Sequence, residues 1–365
     1  MKKHIAIAAG LAVLSTSAFA TKSRMEALGQ DDSQGSFYIQ DTRNVFRNAA
    51  GVNDMTNYVV TEWGSTASGN PEGGFFRSAG QFNYGVYLNS NVAGGVTHTN
   101  GTNTGALSED NRVTAFVGGD MGVKWGASVY HSSSEDETAV KKDHGSMGLG
   151  LGVEKGAIDG YVNVKLKDEA KGNTAFAGSK SEADSMQVGL GYDWMDYKFF
   201  ADYSKANQEV TNVTAGAGKA FETEVTTLIV GVGHAHEVSA TSRLYTDLQY
   251  VSEETNDKVT PNKSKDTKLP LTIGFEADAT SWLALRGSIS QNVIIGSNKN
   301  NAGKKSTLAN STNVNAGATL NFGKLKVDGM IGTGGTNGTT VATNAETGSL
   351  SLDRLMTKVA VHYWF

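Results

Sequence analysis

The strongest constraint on the fold is a repeated alternation of apolar and polar residues. From Phe82 onward, segments of roughly ten residues alternate in this way, as the strands of membrane barrels do. The connections between these segments are alternately tight turns and long polar loops. A period of two residues is that of a β-strand, and a tight turn between two strands makes a hairpin. The sequence therefore predicts a succession of antiparallel hairpins.

One hairpin shows the alternation clearly. Its first strand alternates apolar residues with glycines: Met147, Leu149, Leu151 and Val153 with Gly148, Gly150 and Gly152. Its second strand alternates apolar with polar residues: Ile158, Val162, Val164 and Leu166 with Asp159, Tyr161, Asn163, Lys165 and Lys167. The turn between them is only Glu154-Lys155-Gly156. We expect the apolar set to face lipid and the other set to face the interior.

The long polar loops set the number of strands. They are predicted at 91–111, 133–144, 168–183, 206–222, 254–266, 297–311 and 333–350. Counting from Phe82–Leu88 to the C-terminus predicts fourteen strands. Tyr58–Trp63 and Phe75–Ser78 would add a hairpin, which makes sixteen the alternative.

The chain's hydropathy favours a closed barrel. Its mean hydropathy is −0.31, and no stretch after the first twenty residues approaches the roughly 18 apolar residues of a helical span. A barrel strand needs lipid-facing side chains only at every second position. A solenoid or a secreted sandwich would also alternate, but the succession of short and long connections favours an all-β transmembrane antiparallel up-and-down β-barrel.

The first twenty residues have the features of a secretory signal peptide. Lys2 and Lys3 precede an apolar run from Ile5 to Leu14, and the small residues of Ala18-Phe19-Ala20 follow. The predicted domains are therefore a signal peptide (1–20), an N-terminal segment (21–57) and the barrel (58–365). A retained anchor is the alternative. Cleavage leaves 30 basic residues against 37 acidic ones, which disfavours nucleic acid as a partner.

Charged residues with inward parity indicate the lining of a pore. They are Lys124, Asp159, Lys165, Lys198, Asp202, Arg243, Asp247, Arg286, Lys324, Lys326, Asp328 and Lys358. Several of the basic ones follow short turns, so we expect a basic belt at that end of the barrel. A charged interior requires water or a charged plug. The pattern therefore favours a water-filled porin.

Inward glycines and the N-terminal segment raise the question of a plug. Glycines with inward parity, including Gly148, Gly152, Gly189, Gly231, Gly233, Gly274 and Gly317, indicate either wall curvature or space for another segment. We expect residues 21–57 to plug the lumen, with Asp31, Asp32, Asp41 and Asp54 facing Lys198, Arg243, Arg286 and Lys324. A flexible tail is the alternative.

The residues that could carry catalysis do not form a known motif. His234-Ala235-His236 places two imidazoles on one strand face, but a solvated turn is the simpler interpretation. The group Glu135, Asp136, Glu137, Asp143 and His144 is interpreted as a charged surface loop. The sequence has no cysteine, and so no disulfide. We therefore expect no enzyme activity, no cofactor and no metal.

The C-terminus resembles that of outer-membrane β-barrel proteins. The last strand alternates Val359, Val361, Tyr363 and Phe365 with polar or small residues and stops on Phe365. The resemblance implies that Val361, Tyr363 and Phe365 are recognised by the barrel-assembly machinery. The whole chain is also similar to the major porin-like proteins of Bdellovibrio-type bacteria. The stretch 41–50 resembles the N-terminal region of fatty-acid-transporter-like barrels, with Asn48-Ala49-Ala50 in place of that family's Asn-Pro-Ala.

These observations predict a multi-pass protein of the bacterial outer membrane. The leading hypothesis is a porin for passive diffusion of small polar solutes. A plugged carrier for hydrophobic molecules and a structural or adhesive surface barrel are the alternatives. The expected partners are outer-membrane lipid and lipopolysaccharide, the assembly machinery and small polar solutes. The sequence leaves a monomer and a homo-oligomer both open.

Overall fold

The strands form one antiparallel sheet that closes on itself. The computed structural model describes residues 21–64, 71–90, 106–107, 109–138, 141–172, 179–212, 218–307, 312–332 and 358–365. The strands are β1 Tyr58–Gly64, β2 Glu72–Ala79, β3 Phe82–Leu88, β4 Val113–Asp120, β5 Lys124–Asp136, β6 Lys142–Lys155, β7 Ile158–Lys171, β8 Lys180–Trp194, β9 Tyr197–Asn212, β10 Gly218–Ser239, β11 Ser242–Asp257, β12 Asn262–Thr280, β13 Leu283–Lys299, β14 Lys305–Thr307, β15 Asn313–Phe322, β16 Leu325–Gly332 and β17 Lys358–Trp364. Apart from the short β14, each strand pairs with the next strand of the wall in sequence, and β1 pairs with β17.

The barrel wall has sixteen strands. The short β14 pairs with the end of β13, and β13 also pairs directly with β15. In the described chain, β14 therefore does not count as a separate strand of the wall. The alternative of sixteen is therefore confirmed, and fourteen is wrong. The additional hairpin is the one offered as the alternative, and it contains β2, whose sequence Gly73-Gly74-Phe75-Phe76 hides the alternation. Phe76 is fully buried in the lumen, whereas Phe75 faces outward.

The alternation of side chains orients the wall. Leu149, Leu151 and Val153 are exposed on the outer face, and the intervening glycines face inward. The parity changes at a bulge in β7, where Gly148 pairs with Lys165 but Met147 pairs with Lys167. As a result Lys167 is exposed and Asp168 is buried, so the inward placement expected for Lys167 is wrong. A bulge inserts one residue and reverses the parity beyond it.

Several strands continue far into the predicted loops. β10 has 22 residues and β12 has 19, whereas about 9–11 residues cross a bilayer. Much of 206–222 and 254–266 is therefore strand. His234 and His236 likewise lie within β10, not in a turn, and His234 stacks on Tyr197 at 4.6 Å. The predicted loops 91–111 and 333–350 lie mostly or wholly outside the described residues.

The N-terminal segment, residues 21–57, contains the helices of the described chain. They are the α-helix α1 Lys22–Ala27 and two 3-10 helices, Thr42–Phe46 and Ala49–Asp54. The side chain of Asp41 accepts a hydrogen bond from the amide of Arg43, and that of Asn48 accepts one from Ala50, so each 3-10 helix has an N-cap. Among the described residues, no helix combines the length and apolarity needed to cross a membrane.

Candidate functional site in the lumen

The N-terminal segment lies inside the barrel. Its side chains bond to inward-facing residues on widely separated strands: Thr21 to Asp328 of β16 (3.0 Å), Gln30 to Asp247 of β11 (2.9 Å), Gln34 to Gln187 of β8 (2.9 Å) and Asp54 to Lys124 of β5 (2.6 Å). Contacts to strands around the whole circumference place the segment across the lumen. Its own apolar residues, such as Met25, Leu28 and Val52, are fully buried.

Glycines of the wall leave space for this segment. A Cβ atom on Gly126 would collide with the carbonyl of Ala49, and one on Gly317 would lie 2.7 Å from the Cβ of Ala27. Other inward glycines accommodate aromatic rings of the wall itself, as Gly231 does for Phe200. Space for another segment therefore explains some of the glycines, and space for neighbouring wall side chains explains others.

Arginines of the segment pair with carboxylates of the wall. Arg24 contacts Glu276 at 2.7 Å and Asp41 at 3.0 Å, and Arg43 contacts Glu72 at 2.5 Å. Both guanidinium groups are buried. Buried charges are stable in protein only when they are paired in this way. These pairs therefore carry much of the electrostatic fit between segment and wall.

The sequence led us to expect acidic residues of the segment opposite basic residues of the wall, whereas these pairs have the opposite arrangement. Of the acidic residues in the segment, Asp54 does contact a basic residue of the wall, Lys124. Asp41 instead pairs with Arg24 of the segment, and Asp31 caps its own turn by accepting from Ser33 at 2.7 Å. Among the described residues, Asp31, Asp41 and Asp54 form no salt bridge with Lys198, Arg243, Arg286 or Lys324, so the expectation is wrong for these three carboxylates.

The buried arginines remain charged. Burial by itself would lower the pKa of Arg24, but Glu276 more than compensates and raises that pKa well above its ordinary value. Burial would also lower the pKa of Arg43, and Glu72 raises it in the same way. The wall carboxylates therefore favour the charged form of both side chains.

Most of the predicted pore-lining residues face inward, and most of these contact a polar or charged neighbour in the wall or in the segment. The contacts are Lys198 with Asp159 and Asp193, Arg286 with Glu276 and Asp328, Arg243 with Glu237, Lys165 with Asp168, Lys124 with Asp54, Asp202 with Tyr161, and Asp247 with Gln30 and Tyr38. Four of the basic residues near the short turns, Lys124, Lys198, Arg243 and Arg286, are thus each paired with a carboxylate.

The remaining predicted residues lie close to the C-terminal strand. Lys326 is buried with its ammonium 5.2 Å from the Trp364 ring centroid, whereas Lys324 lies in the exposed turn before β16. The backbone of Lys358 pairs with Gly64 and Met330, and its side chain lies outside the described atoms. Tyr363 and Phe365 are exposed on the outer face, and Val361 is half-buried with the same parity.

Two cavities flank the segment along the wall formed by β5 to β9. The loop-side cavity, about 280 Å³, is lined by Gln34, Asn163, Gln187 and Asp202 among others. The turn-side cavity, about 320 Å³, is lined by Phe37, Arg47, Tyr161, Lys198 and Phe200 among others. Both contain charged and amide side chains. The turn-side cavity has a mainly polar lining, whereas the loop-side cavity is mainly apolar, with Phe46, Phe116, Leu149 and Met186 among its lining residues.

A stack of three side chains lies between the two cavities. The rings of Phe37 and Phe200 are parallel with centroids 4.2 Å apart, and the Arg47 guanidinium lies 3.7 Å from the Phe37 centroid. Tyr161 donates a hydrogen bond to Asp202 (2.6 Å) beside this stack. We call Phe37, Arg47 and Phe200 the constriction. It joins the segment to β9 and lines the turn-side cavity.

Sequence reasoning missed several residues of this site. Glu62, Glu72 and Glu276 have inward parity, and their apolar neighbours in sequence supply that signal, but the partners of these carboxylates lie in the N-terminal segment. Arg24 and Arg43 carry no sequence signal of their own. In the described part of the chain, no group of three or more histidine, aspartate or glutamate residues could hold a metal ion.

Comparisons with known proteins find distant structural similarity. No family model and no curated protein sequence matches the chain. Among solved structures, the copper transporter OprC is 11% identical with a TM-score of 0.41, and the ferric preacinetobactin receptor BauA from Acinetobacter baumannii is 9% identical with a TM-score of 0.44. Each similarity covers 76% of this chain but only 53% and 54% of those proteins, so the chain spans about half of their length.

A third similar structure has a comparable length. The CymD monoaromatic hydrocarbon channel is 10% identical with a TM-score of 0.39, over 93% of this chain and 96% of that one. Values this low transfer no function. The assignment to the bacterial outer membrane rests instead on the closed ladder and the apolar outer face, which together satisfy the requirements of a bilayer. The structure is a sixteen-stranded barrel of the outer-membrane type, with its own N-terminal segment in the lumen.

Proposed function

We propose that the protein is an outer-membrane channel for small polar solutes, narrowed by its N-terminal segment. The observation that supports this function is the mainly polar lining of the turn-side cavity, together with the charged and amide side chains that line part of the loop-side cavity. A carrier for hydrophobic molecules would present an apolar pocket to its cargo. Charged and amide groups favour a passage through which hydrated solutes move.

The proposed path runs from the loop-side cavity past the constriction to the turn-side cavity. Because barrels of this class have long extracellular loops and short periplasmic turns, the first cavity would open to the exterior and the second to the periplasm. The constriction would then set the size limit. Displacement of Phe37 would join the two cavities.

Single-channel recording in planar bilayers tests the proposal. We expect a small conductance for the wild type and a larger one for a variant that lacks residues 21–50. Phe200→Ala should raise the conductance, because it removes the wall side of the constriction. Phe199→Ala is the matched control, since that neighbouring residue faces outward.

Other outcomes would contradict the proposal. If the deletion variant folds but stays closed, and the protein binds detergent or fatty acid, it is a carrier for hydrophobic molecules. If neither conductance nor binding is found, a structural or adhesive role remains. Equal conductances for the Phe199 and Phe200 variants would show that the constriction lies elsewhere.

A further inference from the structure

Thr21 lies between two buried carboxylates of the wall. Its hydroxyl donates a hydrogen bond to Asp328 Oδ2 (3.0 Å), and the following amide, of Lys22, donates one to Glu62 Oε2 (3.1 Å). Covalent geometry therefore puts the backbone nitrogen of Thr21 within about 7 Å of both carboxylate oxygens. Cleavage of the predicted signal peptide after Ala20 would make that nitrogen the first atom of the mature chain.

The strand register explains why the chain end fits at this place. Glu62 of β1 and Asp328 of β16 both pair with Ala360 of β17, which lies between them. The three side chains form one inward-facing row, and Ala360 is fully buried. Because alanine is small, the row leaves a gap between two acids, and Thr21 occupies it.

The carboxylates around this gap differ in the cations that they contact. Asp328 contacts Arg286 and His362, and Glu72 contacts Lys22 and Arg43. Glu62 is only 2% exposed, yet among the described residues it accepts the Lys22 amide hydrogen bond and has no cation within salt-bridge distance. A buried carboxylate without a counter-ion is strongly unfavourable. Lys22 and Arg43 interact with Glu62 electrostatically, but both form their salt bridges with Glu72. Glu62 therefore has no salt-bridge partner of its own beside Thr21.

We infer that the α-ammonium group released by cleavage after Ala20 is the counter-ion of Glu62 and Asp328, and that it fixes the N-terminal segment in the lumen. Before cleavage, the nitrogen of Thr21 is a neutral amide. Hydrolysis of the Ala20–Thr21 bond consumes one water molecule, leaves a carboxylate on Ala20 and produces a protonated amine on Thr21. The inference rests on that cleavage and does not depend on the solute carried.

A double-variant cycle on the refolded barrel tests the inference. One form begins at Thr21, and a second carries two additional alanines before Thr21, which restores the amide and moves the amine away. The rate of trypsin cleavage at Lys22, Arg24, Arg43 and Arg47 reports release of the segment. Heat-modifiable migration in gels shows that the barrel itself is folded.

We expect the extended form to be cleaved about tenfold faster or more, because an uncompensated buried charge opposes docking. Glu62→Gln should remove most of this difference, since the carboxylate that needs the ammonium is gone. Glu237→Gln, at the exposed pair with Arg243, is the matched control and should leave the difference unchanged. Equal cleavage of the native and extended forms would overturn the inference.

Two direct measurements complete the test. Mass spectrometry of the protein from outer membranes should find Thr21 as the first residue, and a different first residue would overturn the inference. An amine-reactive ester at neutral pH should label the Thr21 amine in denatured protein and leave it unlabelled in the folded barrel. Equal labelling in both states would also contradict it.

Discussion

At the scale of single residues, the absence of a side chain decides what the lumen can hold. Gly126 contacts the backbone of Ala49 so closely that an added Cβ would overlap the carbonyl group. The backbone there cannot move aside in the way that a flexible side chain can. The second 3-10 helix therefore depends on this glycine for its place against β5.

Gly126→Val should release the segment from the wall. Overpacking of this kind costs roughly 1–3 kcal/mol, and here the cost falls on docking and not on the strand ladder. Trypsin cleavage of the segment should become faster and channel conductance should rise. Gly160→Val is the control, because a Cβ at Gly160 would meet its nearest neighbour at an ordinary 3.5 Å. Similar behaviour of the two variants would refute this account.

A polar residue at position 365 should lower the amount of folded barrel in the membrane. The Phe365 amide donates a hydrogen bond to the Asn57 carbonyl (3.0 Å), and this closing contact survives a change of side chain. The loss would therefore arise at recognition by the assembly machinery, as the resemblance implies. Phe322→Ser, at another exposed aromatic residue, is the comparison. Quantitative gels of heat-modifiable barrel measure both variants, and equal levels would refute the expectation.

At the scale of elements, strict alternation turns each strand into a two-sided ribbon. One face meets lipid and the other meets the segment or water. The bulge in β7 shows how sensitive this arrangement is, because one inserted residue exposes Lys167 and buries Asp168. Register errors in a strand would exchange the two faces completely.

Cysteines report the faces directly. At Leu151, Val164, Phe199 and Leu285 they should react with a membrane-soluble reagent. At Asn163, Asp202 and Arg286 they should react with a water-soluble reagent, and slowly, because Asp202 is only 3% exposed and Arg286 only 2%. Deletion of residues 21–50 should speed labelling at Asn163, which donates to the Arg47 carbonyl at 2.9 Å. Labelling of the two sets by the opposite reagents would reverse the assignment of faces.

At the scale of the whole molecule, the wall and the segment are held by different interactions. The wall is a continuous backbone ladder closed by β1 and β17. The segment depends mainly on side-chain bonds, ion pairs and two apolar clusters. The free energy needed to release a segment held by side-chain contacts is lower than the free energy needed to open a closed backbone ladder.

Urea should therefore unfold the protein in two steps. The segment should become sensitive to trypsin at a lower urea concentration than the one at which the barrel loses its heat-modifiable migration. Arg43→Ala should lower the first midpoint and leave the second nearly unchanged, because it removes the partner of Glu72. A single coincident transition by both measurements would show that segment and wall form one cooperative unit.

The alternation of residues by itself determined that this chain forms a barrel, which faces are apolar and, away from the β7 bulge and the turns, which side chains point inward. These properties follow from the period of two residues and the bilayer's demand for a closed ladder. The same reasoning left the hairpin that contains β2 undecided, because glycines and adjacent phenylalanines obscure the two-residue period there.

Only the tertiary structure decided how the interior is filled. Arg24 lies 252 positions from Glu276, and no local pattern connects them. The expectation that segment carboxylates meet wall cations was reasonable from charge alone, yet the arginines form most of the buried pairs with the wall. The choice depends on which side chains meet when sixteen strands close around one segment, and closure is a property of the whole barrel.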